Sequence, residues 1–182
     1  MARIPLEHTP GLLLKIMAGY SRRKYGEVLD PGLAMLHNRR VLFAWLRHES
    51  AIARFKTVPP TLKALAVMGA ATTIGCSWCL DFGYWEYHHQ GVAPAKLRAV
   101  PEWRTSTVYT PLERAVLEYA EAMTATPPCV SDELVDRLKQ HLDHAQLAEL
   151  TYLIAVENQR SRVNAAMGLD SQGFKETCSI GD

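Results

Sequence analysis

Apolar residues recur along this chain at intervals of three and four, the spacing of helices with one buried face. No stretch alternates apolar and polar positions as a half-buried strand would. The first helical segment runs from Gly11 to about Tyr25. Between about Pro31 and Phe55, the positions of Leu33, Leu36, Val41, Phe43, Ala44 and Leu46 fit one or two helices. Pro59-Pro60 suits the start of another, because a first turn has no use for the N–H that proline lacks. Leu62, Leu65, Ala66, Met68 and Ala70 carry that helix to Gly75. A further helix from about Cys76 to Gln90 stops at Gly91, a favourable residue just past a C-terminus. Residues 91–110, broken by Pro94 and Pro101, form a connection with room for a short helix.

Thr110-Pro111-Leu112-Glu113 has the capping-box arrangement, and Leu112, Val116, Tyr119 and Met123 make one stripe up to about Thr124. Pro127-Pro128 ends that helix, and Ser131 caps another to about His141. Asp143 with Gln146 three residues on starts the last long helix, which should end near Gly168. Periodicity fades after Ser171, so the tail is expected to be mobile or packed only locally. The pattern predicts an all-α fold of six or seven helices without internal repeats.

With 182 residues, 48% hydrophobic and 21% charged, the chain is long enough to bury a core and too apolar for disorder. Its formal charge of +1 gives no global argument for nucleic acid. Residues 1–60 nevertheless carry net +6 and the remainder net −5. The cations there include Arg22-Arg23-Lys24 and Arg39-Arg40, without the interleaved aromatics of a single-strand platform. Lys15 interrupts the first apolar run, and the apolar stretch from Leu62 to Cys79 contains Lys63 with Asp81 just beyond, so neither suits a targeting or membrane segment. A cytoplasmic, reducing location is the expectation, in which a close cysteine pair is redox-active or metal-binding more often than structural.

Gly75-Cys76-Ser77-Trp78-Cys79 is the constellation that carries chemistry. At the first turn of a helix, unsatisfied N–H groups and the positive dipole end stabilise a thiolate. Residues three apart on a regular helix have Cβ atoms about 5–6 Å apart, and a disulfide needs about 3.8 Å, so closure asks for a modest local distortion. Zinc would need more ligands than one such pair. Cys129 and Cys178 are isolated in sequence, and His88 and His89 point about 100° apart on a helix. No metal and no cofactor are therefore expected. Two inert buried thiols beside Trp78 are the plain structural alternative.

The stretch resembles the carboxymuconolactone decarboxylase/alkylhydroperoxidase D-like superfamily of small all-α proteins. The resemblance rests on Leu62-Lys63-Ala64-Leu65 before an Ala-rich helix, the Cys-X-X-Cys segment and Gly91-Val92. Leu112-Glu113-Arg114-Ala115, Tyr119-Ala120-Glu121 and the helix end from Asn158 to Gly168 extend it. It covers about residues 35–170, leaving residues 1–34 as a basic helical extension and 171–182 as a tail. It implies a dithiol/disulfide enzyme acting on small hydroperoxides, restored by an external dithiol or disulfide reductase, and assembled as a homo-oligomer. It also implies that Cys79 is the peroxidatic thiol and Cys76 its partner, an order that the spacing alone leaves open. No nucleic-acid or membrane partner is expected. A lyase of the decarboxylase type and a non-enzymatic redox-sensing oligomer are the alternatives.

The superfamily's peroxidases carry a glutamate twelve residues before the first cysteine, a histidine just before the second and another four after it. This chain has Ala64, Trp78 and Gly83 there. Glu86, seven residues after Cys79 on the same helix face, is the candidate replacement acid/base beside Cys76 and Cys79. Asp81 suits a helix-dipole role, and His88 and His89 suit exposed or interface positions. His141-X-X-His144 straddles a helix break. Glu157, Asn158, Arg160, Arg162 and Asn164 crowd the last helix, where inward-facing members need partners and suggest a structural network or subunit contact more than a substrate site. Tyr84, Trp78 and Trp85 could line a pocket or pack a core equally well.

Overall fold

In the computed structural model, which describes residues 2–178, ten α-helices follow one another. They are α1 Leu12–Tyr25, α2 Asp30–Leu36, α3 Arg39–Ile52, α4 Pro60–Ile74, α5 Ser77–His89, α6 Pro94–Arg98, α7 Pro111–Thr124, α8 Asp132–Lys139, α9 His144–Met167 and α10 Phe174–Cys178. A 3₁₀ turn, Val100–Glu102, lies between α6 and α7, and no strand occurs among the described residues. The all-α expectation holds, with more helices than the periodicity predicts. The surplus is α2, α6 and α10, of seven, five and five residues, too short for an apolar stripe to repeat.

The most apolar segment becomes the central helix. Nine of the fifteen residues of α4 are buried, so it has no polar face and must be surrounded. It packs on α7, α9 and α5. Gly69 makes room for α7, because a Cβ there would stand 3.2 Å from Ala120 Cβ and 3.3 Å from Leu117 Cδ2. Leu65, Val116, Leu117, Leu150 and Ile154 are fully enclosed where these helices meet. Burying each is worth about 1.5–3 kcal/mol.

Local signals set the ends. Pro60 opens α4, and Gly75 closes it in the left-handed region at φ 79°. Both expected capping boxes form: Thr110 and Glu113 reciprocate at 3.3 and 2.9 Å, Asp143 and Gln146 at 2.8 and 3.1 Å. Each cap is worth about 1 kcal/mol.

The segments at both chain ends dock on this core. The Arg3 guanidinium donates to Ala165 O and Ala166 O at 3.1 and 2.8 Å, satisfying carbonyls at the end of α9. Tyr25 packs edge-on against Phe82 and Trp85 of α5. The tail departs from the expectation of mobility or purely local packing: α10 packs against α5, and residues 179–182 of that tail lie outside the described part. Asp81 is the reason, and its role also differs from the dipole role expected. Buried in α5, its carboxylate accepts the backbone N–H groups of Gln172, Phe174 and Lys175 at 2.9, 3.0 and 2.7 Å. Gln172 then accepts from Asp30 N–H and Trp78 Nε1 and donates to Val28 O, joining tail, N-terminal segment and α5.

Replacing Asp81 with Ala strands three backbone donors at once. The expected cost is roughly 2–4 kcal/mol of unfolding free energy, with faster amide exchange confined first to residues 172–178. Denaturant unfolding with hydrogen-exchange mass spectrometry checks both, and an unchanged midpoint and exchange pattern would refute the account of the tail.

Candidate active site

The turn out of α4 places the two thiols. After Gly75, Cys76 takes an extended conformation (φ −79°, ψ 98°) as the N-cap of α5, and its Sγ accepts the Cys79 N–H at 3.2 Å. Cys76 therefore stands just outside the helix, which removes most of the distortion that two helical positions would require. The Cα atoms are 5.3 Å apart and the pair is joined as a disulfide, well within the range such bonds span. Cys76 and Cys79 are 3% and 6% exposed, packed with Ala71 and Trp78.

Helix α9 supplies the polar groups on the far side. Glu157, Ser161 and Asn164 lie at i, i+4 and i+7, on one face, and all three are buried. Ser161 Oγ is 3.3 Å from Cys79 Sγ and 2.8 Å from Glu157 Oε1, and Asn164 Nδ2 donates to Cys79 Sγ at 3.4 Å. A hydroxyl has one proton and accepts as well, so the chain Cys79–Ser161–Glu157 has two directions. With Glu157 ionised, Ser161 donates to the carboxylate and leaves a lone pair facing the sulfur. With Glu157 protonated, the acid donates to Ser161 and Ser161 donates to sulfur.

Behind Glu157 stands Arg160, 3.5 Å from Glu157 Oε2 and bound through both arms of its guanidinium to Glu49 of α3, Nε at 3.0 Å and Nη2 closer still. Burial pushes the Glu157 carboxyl up to about 7; Arg160 and Ser161 oppose that shift and Glu49 adds to it. Glu86 is half-buried on α5 and faces the same field. Burial raises its carboxyl too, opposed by Arg160 and Lys24 and reinforced by Glu49. Cys76 and Cys79 are thus brought together, Glu86 joins the Arg160 charge cluster, and the acid hydrogen-bonded toward sulfur is Glu157. Sequence reasoning placed Glu157 and Asn164 in a structural network and passed over Ser161. The i, i+4, i+7 stripe was the available signal.

The positions that differ from the superfamily's peroxidases are all enclosed. Ala64 is wholly buried, and Trp78 gives its Nε1–H to Gln172 at 2.8 Å and stacks on Phe82. Gly83 lies close to α4, where a Cβ would stand 3.4 Å from Met68 Cγ. Asn158 and Arg162 bond to Thr124, away from the sulfurs. Trp85 stacks on Phe82 and packs at a tilt against His89. Tyr84 lines a cleft of about 270 Å³ with Ser77, Leu80, Asp81 and Lys175, beside the first turn of α5. His141 and His144 are exposed around the start of α9. Cys129 is exposed, whereas Cys178, isolated in sequence, lies in space beside His88 and His89.

Fold and site together define a small all-helical protein whose disulfide-forming pair sits at the start of α5 and touches a polar stripe on the longest helix. The sequence profile of the Carboxymuconolactone decarboxylase family matches residues 40–122. A full-length relative, Escherichia coli (strain K12) YnjA, is 35% identical over 176 residues, 93% of each chain. The debrominase Bmp8 has the same fold, with TM-score 0.80 at 25% identity over 95% of this chain and 93% of its own. An uncharacterized peroxidase-related protein from Ralstonia eutropha JMP134, with an alkylhydroperoxidase AhpD core, superposes with TM-score 0.82 at 14% identity, covering 96% and 94%. The chain belongs to the carboxymuconolactone decarboxylase family, and it shares its fold with the alkylhydroperoxidase AhpD core.

The raised Glu157 carboxyl has a signature in stability. Its folded value, about 7, exceeds the ordinary 4.5, so the native state holds the proton more tightly between them. The stability this confers is full below about pH 4.5 and is lost as pH rises through about 7, on the order of a few kcal/mol. Glu157→Gln should flatten that decline in urea-unfolding midpoints taken across the window. A variant that keeps the wild-type slope would show that Glu157 is not the group responsible.

Proposed function

We propose that the chain is a thiol-dependent oxidoreductase in which Cys76 and Cys79 cycle between dithiol and disulfide, with small hydroperoxides as oxidant. The observation that carries this is the hydrogen-bonded line from Cys79 through Ser161 to Glu157, an acid held near neutrality. It supplies the proton path missing at Ala64, Trp78 and Gly83. A general acid/base works best with a pKa near the operating pH.

In the reduced state Cys79 passes its proton through Ser161 to the Glu157 carboxylate, and Asn164 steadies the thiolate. The thiolate sulfur attacks the outer peroxide oxygen; the S–O bond forms, the O–O bond breaks, and the leaving alkoxide takes the proton back from the relay as an alcohol. Cys79 is then a sulfenic acid. Cys76, its thiolate favoured by the Cys79 N–H and the helix N-terminus, attacks that sulfur, forming the disulfide and releasing water. The sum is hydroperoxide plus dithiol giving alcohol, water and disulfide. An external dithiol or disulfide reductase supplies two electrons to reopen it, in keeping with a reducing cytoplasmic location. Glu86 shares the Arg160 field with Glu157 and tunes the charge available there. The apolar stripe of Leu12, Ile16 and Tyr20, with Val41, Phe43 and Leu46, all exposed on α1 and α3, supports assembly with further copies of the chain. No helix among the described residues is long and apolar enough to cross a membrane.

A second substrate class draws support from the likeness to debrominase Bmp8, which has been solved with 2,3,4-tribromopyrrole. The same dithiol delivers two electrons to an aryl bromide: thiolate takes the bromine, the relay protonates the ring carbon, and the second thiol displaces bromide. Bromoarene plus dithiol then gives arene, hydrogen bromide and disulfide.

Single-turnover mixing of reduced protein with an alkyl hydroperoxide, and separately with a bromopyrrole, distinguishes the substrates. Cys76→Ser and Cys79→Ser should each abolish disulfide formation, and Ser161→Ala should slow oxidation about 100-fold. In the wild type the rate should rise with pH through about 7 as Glu157 ionises, and Glu157→Gln should remove that rise. Unchanged turnover of either substrate in the double serine variant would overturn the dithiol mechanism.

A further inference from the structure

The two ends of α5 carry different chemistry. Its N-terminus holds the disulfide; its last two residues, His88 and His89, meet Cys178 at the end of α10. The potential ligand atoms of these three side chains all lie within 4.8 Å of one another. We propose that His88, His89 and Cys178 form a site for a borderline-soft transition metal ion of the zinc class, tying the tail to α5. This rests on none of the redox chemistry above.

Two imidazoles and a thiol are the donor set that such ions prefer over calcium or magnesium. The tautomer of His89 is settled by its neighbour. Its Nδ1 lies 2.7 Å from Trp85 O, and a carbonyl only accepts, so Nδ1 carries the proton and Nε2 keeps its lone pair for a metal. Such a second hydrogen bond characteristically orients a metal-bound imidazole. The His88 and His89 rings stand at 81° with centroids 5.8 Å apart, so they do not stack against each other. The final carbonyls of α5 add the negative end of a helix dipole, which favours a cation.

Ligands at about 2.0–2.3 Å in a tetrahedron stand about 3.3–3.8 Å apart. Closing from 4.8 Å takes a shift of about 1 Å, within reach of a ring rotation by half-buried His88 or exposed His89. Cys178 is buried, with its Sγ 4.0 Å from Phe174 O of the same helix. On binding, its thiol proton passes to solvent and a metal–sulfur bond forms. A fourth position stays available to water.

Cobalt(II) titration of the oxidised full-length chain provides the test, because bridging Cys76 and Cys79 leaves Cys129 and Cys178 as the only thiols. One equivalent should produce a thiolate-to-cobalt charge-transfer band with tetrahedral d–d absorption, both bleached by zinc. The band should vanish in Cys178→Ser and in the His88→Ala/His89→Ala double variant, and persist in Cys129→Ser. Zinc should raise the melting temperature of the wild type and of Cys129→Ser only. Circular dichroism establishes that each variant is folded; the exposed His89→Gln variant, expected to weaken binding at least about tenfold, covers a failure of Cys178→Ser to fold. Absence of the band in the wild type, its survival in Cys178→Ser or in the double histidine variant, or unweakened binding in His89→Gln would overturn the site.

Discussion

A carboxyl group buried next to sulfur must find all its partners inside the protein, and the arrangement around Glu157 follows from that demand. One oxygen takes the Ser161 hydroxyl and the other faces Arg160. Arg160 brings a charge that a single buried acid does not balance in geometry, so its guanidinium also grips Glu49, and α3 is held against α9. Breaking such a set by removing one member leaves an uncompensated charge, at a cost of about 3–5 kcal/mol. The acid near the thiols and the seating of α3 are therefore one structural decision, which places part of the basic N-terminal half in the site's electrostatics.

Around the sulfurs, the same enclosure has opposing consequences. Low exposure of Cys76 and Cys79 disfavours a bare thiolate, while the donors supplied by Cys79 N–H, Ser161 and Asn164 favour it. The helix N-terminus adds to the second side at Cys76, and the Ser161 line gives Cys79 a proton acceptor. Each thiol is thus served differently, one by the backbone of α5 and one by the side chains of α9. The two sulfurs thus differ in surroundings even though their spacing is symmetric.

The parts legible in the sequence were those governed by nearest neighbours. Gly75, Pro60, the Thr110/Glu113 and Asp143/Gln146 boxes, and the cysteine pair at a helix start all act within four residues, and all stand where the pattern put them. Long-range partners were not legible. Asp81 looked like a dipole residue because its true acceptor role is toward backbone more than ninety residues away. Ser161 carried no weight as a small polar residue until the fold set it beside Cys79, 82 positions distant. The tail lacked periodicity because a five-residue helix held by one carboxylate needs none.

Those long-range contacts also decide where α5 can give when the disulfide opens. Trp78 is fastened to Gln172, Asp81 to three tail amides, and Tyr25 packs across Phe82 and Trp85. Moving α5 as a body would disturb all of them at once. Cys76 lies outside the helix, linked to it by its carbonyl to Leu80 N–H and its sulfur to Cys79 N–H. A small rotation of its side chain separates the sulfurs and leaves the other fastenings intact. On the proposed cycle, dithiol and disulfide would therefore interconvert without disturbing those fastenings, because the element that moves is the cap and the element that holds the site is the helix behind it.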